Sequence, residues 1–285
     1  MRRILIQALV LLPLVLFNAG CNPFVAGIRG TAHPFERVAD GRMVDFGEMV
    51  ADFNTARVIF IGELHDNAAH HSLQLDVIKE LHLSGSKVAI GLEMFRRESQ
   101  PFLDRWVAGT LDLLTFMQVY RDNWTIPWDY YSAIFLYARN NGIPLIALNA
   151  PREIIQKVYR EGFAALSPDE LRMLPKGISC RVDRPYMDFI RRNFVWHSAD
   201  ESMFQFFCEA QLLRNKVMAE QLAGYLHRRP ERKVVVLTGV GHAMRRGVPG
   251  DLPGDSVVDV RILIPRLHEV AAEVLRDGDA DYIER

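Results

Sequence analysis

The sequence predicts an α/β protein with a mostly parallel central sheet, flanking helices and an inserted helical cap. Short runs rich in Val, Ile and Leu alternate with longer segments of helical periodicity, which is the order expected for parallel strands joined by helices. Each run is bounded by glycine, proline or charge, as buried strands are. A long helical block, residues 168–228, precedes the fourth run and supplies the cap.

The predicted strands follow one another along the chain, and each is apolar throughout because both faces of a parallel sheet are covered. They are residues 56–62, 87–93, 142–149, 233–239 and 256–263. Helical patterns fill the intervals at 67–84, 97–120 in two pieces, 127–141, 151–164 and 168–228.

The amino terminus has the pattern of an export signal. Two arginines precede an apolar run too short and proline-broken for a comfortable membrane span. We therefore expect residues 1–20 to be a lipoprotein signal peptide, with Cys21 as the acylated residue and the outer membrane, facing the periplasm, as the destination. Residues 21–54 are expected to form a tether and a short leading element, and residues 55–285 the α/β domain.

Composition excludes two classes of protein. Hydrophobic residues make up 49% of the chain, which is enough for a packed core and argues against disorder. The formal charge of -1 gives no global attraction toward nucleic acid. We expect no nucleic-acid partner and local recognition of any ligand.

Polar side chains collect where the predicted strands end. In an open parallel sheet the strand-to-helix loops emerge at one edge, and ligands bind there. Four strand ends supply acids, imidazoles, an amide and a guanidinium, and the candidate residues are Glu63, His65, Glu93, Asn149, Arg152 and His242. The sequence thus predicts one cleft whose walls are far apart along the chain.

The histidines His65 and His242 share the frame G-x-x-H directly after a strand. Glu93 should be buried, and a buried carboxylate needs a cation, a histidine or a metal. These three residues are competent ligands for a divalent metal that activates water, with Glu63 or Glu93 as general base. An ion pair of Glu93 with Arg96 or Arg152 is the alternative.

Several other polar residues have ordinary explanations. Asp66 or Asn67 would serve as the amino-terminal cap of the next helix, and at least one of His70 and His71 would face solvent. Gln211 and Asn215 lie on the apolar stripe of a helix, where buried amides need partners; they either close the site or cap exposed carbonyls.

The cysteines other than Cys21 leave two alternatives. Cys180 and Cys208 could pair in an oxidising compartment, or remain two buried thiols.

Two aromatic groups suit a flat apolar ligand with acidic edges, with a phenol available for iron. An aromatic core with a basic rim is the competing interpretation. The groups are Trp124, Trp128, Tyr130, Tyr131 and Tyr137, and Tyr186, Phe189, Phe194, Trp196 and His197.

Five motifs together resemble the ChaN family of haem-binding lipoproteins, within the Tiki superfamily. They are IGELHDNAAHHSLQLDVIKEL, GLEMF, IPLIALNAPREII, MAEQLAGYL and LTGVGHAMRRGVP, spread over residues 56–264. The resemblance implies an α/β fold, a lipid anchor, and a role in haem or iron uptake.

The family pattern also implies two haems stacked face to face at a dimer interface. Each iron is held by a tyrosine of one subunit, while a histidine and a lysine of the other contact the propionates. In this sequence Tyr131 and then Tyr186 are the candidate iron ligands, and His197 the candidate propionate contact.

Within the wider superfamily, the sequence also resembles enzymes, namely the Tiki proteases and the erythromycin esterases. These enzymes use paired histidines and a glutamate near strand ends. Glu63, His65, Glu93 and His242 match that frame. A metal-dependent hydrolase of a peptide or ester is therefore the alternative function.

Overall fold

The computed structural model describes residues 34–193, 200–253, 258–267 and 278–285. The predicted signal peptide 1–20, Cys21 and His197 lie outside these ranges.

The described strands form one sheet of eight, in the order β2-β1-β8-β7-β3-β6-β4-β5. The five pairings from β8 to β5 are parallel, and the β2-β1 and β1-β8 pairings are antiparallel. The predicted fold class is confirmed. The strands are β1 (Phe35–Arg37), β2 (Arg42–Val44), β3 (Val58–Glu63), β4 (Val88–Arg96), β5 (Leu145–Asn149), β6 (Lys233–Gly239), β7 (Val260–Ile264) and β8 (Tyr282–Glu284).

The five predicted strands correspond to β3, β4, β5, β6 and β7, with ends shifted by a few residues. Three further strands, β1, β2 and β8, were not predicted. Part of the segment 21–54, expected to be a tether and a leading element, therefore contributes two strands and a helix to the folded body.

Ten α-helices are described: α1 (Phe46–Phe53), α2 (Ala68–Leu83), α3 (Gln100–Val107), α4 (Leu113–Asn123), α5 (Ser132–Asn140), α6 (Arg152–Glu161), α7 (Pro168–Arg172), α8 (Arg184–Asn193), α9 (Glu201–Arg228) and α10 (Val240–Ala243). Asn67 caps α2 as predicted, by accepting a hydrogen bond from the Ala69 N–H. The predicted block 168–228 contains α7, α8 and the 28-residue α9. No described helix is both long and apolar enough to cross a membrane.

The sheet separates two apolar cores. Successive residues of a strand point to opposite faces, so Ile59 and Ile61 of β3 join the core under α1 to α5, whereas Val58 and Phe60 join the core under α6, α8 and α9. Burial on both faces explains the uninterrupted apolar runs of the sequence. Because α9 packs against α6 and β5, it also carries polar side chains toward the carboxyl edge of the sheet.

Candidate functional site

The carboxyl ends of three adjacent strands create the site. β3 and β4 both pair in parallel with β6, and Glu63 lies directly opposite Gly239 in the register. Glu93 is part of β4, and His242 lies in α10, immediately after β6. The prediction that strand ends bring these residues to one edge agrees with this arrangement.

Glu63 is fully buried and accepts hydrogen bonds from several elements. His65 Nδ1 lies 2.8 Å from Oε1, and Gln74 Nε2 donates to Oε2 at 2.7 Å. The Tyr131 hydroxyl also donates to Oε1. His71 Nδ1 lies 3.5 Å from Oε2. Because an ionised carboxylate only accepts, these donors stabilise the charged form.

Glu63 and the two histidines shift one another's pKa. Burial alone raises the pKa of Glu63, but the hydrogen bonds from His65 and His71 lower it well below its usual range. Burial lowers the pKa of His65. The hydrogen bond to Glu63 and the negative charge of Glu93 raise it by more, so the pKa lies above its usual value. The nitrogens of His71 lie 3.2 Å from Gln74 Oε1 and 3.1 Å from His65 O, both acceptors, which favours its doubly protonated ring.

Glu93 is the second buried acid. Arg214 of α9 donates to Oε1, and the Gly239 N–H donates to Oε2 at 2.7 Å. Asn149 fixes the strand backbone by donating to the Glu93 carbonyl at 2.8 Å. Burial raises the pKa of Glu93, and the charge of Arg214 with the Gly239 N–H lowers it below the usual value. The partner of Glu93 is therefore Arg214, not Arg96 or Arg152.

His242 is a neutral, oriented imidazole. Burial lowers its pKa to about 3. Its Nδ1 lies 2.6 Å from Asn215 Oδ1, and Asn215 Nδ2 donates to the Tyr186 hydroxyl at 3.2 Å. Asn215 thereby holds the proton on Nδ1, and Nε2 faces Glu93 Oε1 at 3.7 Å.

These groups surround a pocket of about 500 Å³. The side chain of His65 is 36% exposed, unlike the buried Glu63 behind it. A Cβ at Gly239 would lie 3.1 Å from Cε1 of His65, so glycine permits the close approach of this ring. Apolar walls complete the pocket, formed by Ile126, Phe207 and Val240. The pocket combines an accessible base, a cation and an apolar surface.

The metal set predicted from His65, Glu93 and His242 does not converge as ligands. Within the part of the chain that the structure describes, no group of three His, Cys, Asp or Glu side chains is arranged to hold an ion. The Glu93 carboxylate is engaged by Arg214 and Gly239. A divalent metal here stays a prediction.

The remaining predicted site residues have specific contacts. Asn149 and Asn215 support Glu93 and His242, and Gln211 lines the pocket and accepts from Arg214 at 3.4 Å. Arg152 instead donates to the backbone carbonyl of Asp122.

One prediction about the helix after β3 is wrong. Both His70 and His71 are buried, rather than one facing solvent. His70 accepts from the Leu64 N–H at 2.9 Å through Nδ1, and its Nε2 lies 2.9 Å from Arg266 O. The two histidines therefore anchor the turn that carries His65.

The candidate iron ligands are both inside the protein. Tyr131 is 0% exposed and Tyr186 is 8% exposed, and their hydroxyls are engaged by Glu63 and Asn215. Tyr159 of α6 is 40% exposed, and its ring lies 6.0 Å edge-on from Phe207 at the pocket. Sequence reasoning missed Tyr159, although a tyrosine on a strongly amphipathic helix was the available signal.

Cys180 and Cys208 are buried free thiols, which agrees with the second alternative. Burial raises the pKa of each to about 12.

Fold and site together define an α/β protein with a carboxylate and imidazole cluster at the carboxyl edge of a parallel sheet. Residues 49–252 match the model of the haem-binding uptake family ChaN, of the Tiki superfamily, and the chain belongs to this family.

Solved structures share the fold. The ChaN of Campylobacter jejuni, described as binding heme cofacially, superposes with a TM-score of 0.69 at 17% identity, covering 88% of this chain and 96% of that one. A mutant of the erythromycin esterase EreC in its open conformation gives 0.50 at 14% identity, with 82% and 76% covered. At these identities the likeness shows the fold alone.

A curated relative matches a shorter stretch. The chloroplastic protein RETICULATA-RELATED 5 of Arabidopsis thaliana is 26% identical over 125 residues, which is 41% of this chain. The match spans only 17% of that relative's length.

Proposed function

We propose that this protein is a haem-binding lipoprotein of the bacterial envelope that takes part in haem or iron uptake. Membership of the ChaN family supports haem as the ligand. The structural observation that carries the proposal is an exposed phenol, Tyr159, whose ring lies edge-on 6.0 Å from that of Phe207. Phe207 belongs to the apolar wall of the strand-end pocket, the pocket of about 500 Å³ lined by Glu63, His65, Glu93 and His242.

The residues present fit a haem group. A phenolate is an established axial ligand of haem iron, and Tyr159 can present one without breaking an internal hydrogen-bond network. The pocket volume of about 500 Å³ is typical of small-molecule sites. Bound there, haem would supply the redox and ligand-binding chemistry of its iron. The protein would orient the macrocycle with Phe207 and Ile126.

The proposal also covers how the protein is attached to the membrane and how its chains assemble. Lipid on Cys21 would hold the protein at the outer membrane. The relative whose haems are bound cofacially supports a homodimer in the loaded state. Only one exposed tyrosine is described in each chain, so two chains would supply one phenol to each of two haems.

Hemin titration of the purified full-length chain tests the proposal. We expect saturable binding with a Soret band that is shifted or lost in Tyr159→Phe. Tyr131→Phe and Tyr186→Phe serve as controls and should retain it, because those hydroxyls bond internally. Wild-type protein without saturable hemin binding would exclude the haem function. Loss of the band in a control variant alone would exclude Tyr159 as the ligand.

A hydrolase is the second candidate, and the Glu63–His65 pair favours it. The buried carboxylate holds the Nδ1 proton of a half-exposed imidazole, which leaves Nε2 to take a proton from water. Arg214 lines the same pocket, and although Glu93 balances its charge, its remaining N–H donors would bond to developing negative charge. The expected substrate is an ester or a peptide.

Turnover of an ester and peptide panel tests this candidate. If it is correct, His65→Gln lowers kcat by about 100-fold or more, the usual contribution of a general base. His82→Gln is the matched control, because His82 bonds to Tyr137 and does not line the pocket. Wild-type protein that turns over no member of the panel, with or without added Mn, Co or Zn, would refute the hydrolase.

A further inference from the structure

A second pocket adjoins the first and has a different character. It measures about 220 Å³, and Arg214 lines both pockets. Trp124 forms part of its wall and contacts the ring of His65 edge-on at 4.9 Å, so the tryptophan stands between the two. The two pockets therefore share Arg214 and meet at the contact between Trp124 and His65.

The lining of this second pocket contains three arginines and no acid. Met94, Trp124, Ala150 and Ile155 supply apolar surface, and the neutral amides are Asn123, Asn149 and Gln156. The arginines are Arg96, Arg152 and Arg214. Arg214 is neutralised by Glu93. The other two provide the excess positive charge.

Arg96 and Arg152 are held as neighbours by one backbone carbonyl. Arg96 Nη1 donates to Asp122 O at 3.0 Å, and Arg152 Nη2 donates to the same oxygen at 2.7 Å. In the described ranges neither guanidinium has a carboxylate within the 4.0 Å of an ion pair. The nearby acids Asp122 and Glu153 are exposed, and Asp122 Oδ1 accepts from Gln118. Two adjacent cations without a counter-ion repel each other unless an anion binds.

The start of α6 adds to this positive field. Its cap residue is Pro151, which makes no side-chain hydrogen bond to the first turn. The amino end of a helix carries partial positive charge and free N–H groups. Ala150 and Arg152, on either side of Pro151, both line the pocket. The dipole and the guanidinium pair thus act at the same place.

We propose that Arg96 and Arg152 form a carboxylate-binding subsite that receives the acidic substituent of an amphipathic ligand whose apolar body lies in the strand-end pocket. Guanidinium groups match a carboxylate with paired N–H donors. The apolar walls of Trp124, Met94 and Ile155 receive the chain that carries the acid. Identification of the acid as a haem propionate rests on the proposed function.

A comparison of acid and ester tests the subsite. Hemin and hemin dimethyl ester are titrated into full-length wild type, Arg96→Gln/Arg152→Gln and Arg105→Gln/Arg121→Gln. The last variant removes the same charge from exposed arginines outside this pocket. We expect wild type and the control to prefer the acid by about tenfold, as for one charge-assisted contact, and the subsite variant to lose that preference. A preference that persists in the subsite variant would overturn the proposal.

A second probe separates this proposal from the haem function. Binding of 4-phenylbutyrate and of its amide is measured by ligand-observed NMR on the same three proteins and on Arg96→Lys/Arg152→Lys. If the subsite exists, the acid binds wild type, the amide binds about tenfold more weakly, and the acid loses its advantage in Arg96→Gln/Arg152→Gln. Arg96→Lys/Arg152→Lys should restore part of it. Failure of hemin alone would refute only the haem function. Equal binding of the phenyl acid and amide to wild type would refute the subsite.

Discussion

Glu63 shows how a buried charge is stabilised at single-residue level. Its two oxygens face His65, Gln74 and Tyr131, while His71 supplies a nearby positive charge. A buried carboxylate without such donors would cost several kcal/mol. The network therefore keeps the acid ionised and fixes the His65 ring above the pocket.

Removal of one donor should be measurable as stability. Tyr131→Phe leaves Glu63 with one hydrogen bond fewer, and we expect the free energy of unfolding to fall by about 2 kcal/mol, as for bonds to charged groups. Urea denaturation followed by circular dichroism measures it. Tyr159→Phe, at an exposed site, should change the free energy by less than about 0.5 kcal/mol. Equal effects of the two substitutions would contradict this account of the network.

Only some of these residues could be found in the sequence. Glu63, Glu93, Asn149 and His242 are at or near the ends of apolar runs, where fold topology alone brings them to one edge. Arg214 comes from the middle of α9. Helix periodicity predicts which side chains share one face of a helix. Which turn of the helix reaches the site depends on how the helix packs on the sheet.

At the scale of elements, α1 is tied to the far strands of the sheet. Asp52 near its carboxyl end accepts from Arg261 of β7 at 2.7 and 3.0 Å, and from the Tyr282 hydroxyl of β8 at 2.9 Å. These bonds fasten the segment before β3 to strands from the opposite end of the chain. The antiparallel edge of the sheet is thereby joined to the rest of the domain.

The Asp52 contact should give a pH-dependent stability. Hydrogen bonds from Arg261, opposed by burial, lower the folded pKa of Asp52 below its usual value. A depressed pKa stabilises the fold above the unfolded pKa of about 3.9, and this contribution is lost as pH falls through the folded pKa. Asp52→Asn should therefore cost about 1 kcal/mol at pH 7, a figure reduced for partial exposure, and less at pH 2.

Urea unfolding at both pH values measures the effect. Asp40→Asn is the control, since Asp40 pairs with Arg37 in an exposed position on the same edge of the sheet. We expect its substitution to have the smaller effect at pH 7. A cost of Asp52→Asn that is the same at pH 7 and pH 2 would show that the carboxylate charge is not responsible.

The elements that escaped prediction are short. β1, β2 and β8 each contain three residues, too few to show an alternating pattern. They form because β7 already offers an edge to which β8 adds, and β8 then offers one to β1. Partners distant in sequence define these strands, whereas β3 to β7 are evident from local composition.

For the whole molecule, cover on both sides of the sheet explains why the site lies at an edge. Each face is closed by helices, and the packing at Gly91 of β4 is tight, since a Cβ there would lie 2.9 Å from Leu148 Cδ1 and the leucine side chain would have to shift. In the part of the chain that the structure describes, the pocket with the carboxylates and imidazoles opens at the strand ends. Fold class and the edge that carries the site thus follow from the sequence, but the depth and partners of each side chain do not.

The β1–β8 pairing places the first and last described residues together, because the Arg285 N–H donates to the Pro34 carbonyl at 3.0 Å. A short peptide linker between these two residues would have only a small distance to span. New ends opened at the exposed turn of Gly109 and Thr110 would then yield a circular permutant with every strand in its original neighbourhood. In such a molecule the order of synthesis changes while the strand-end pocket is kept.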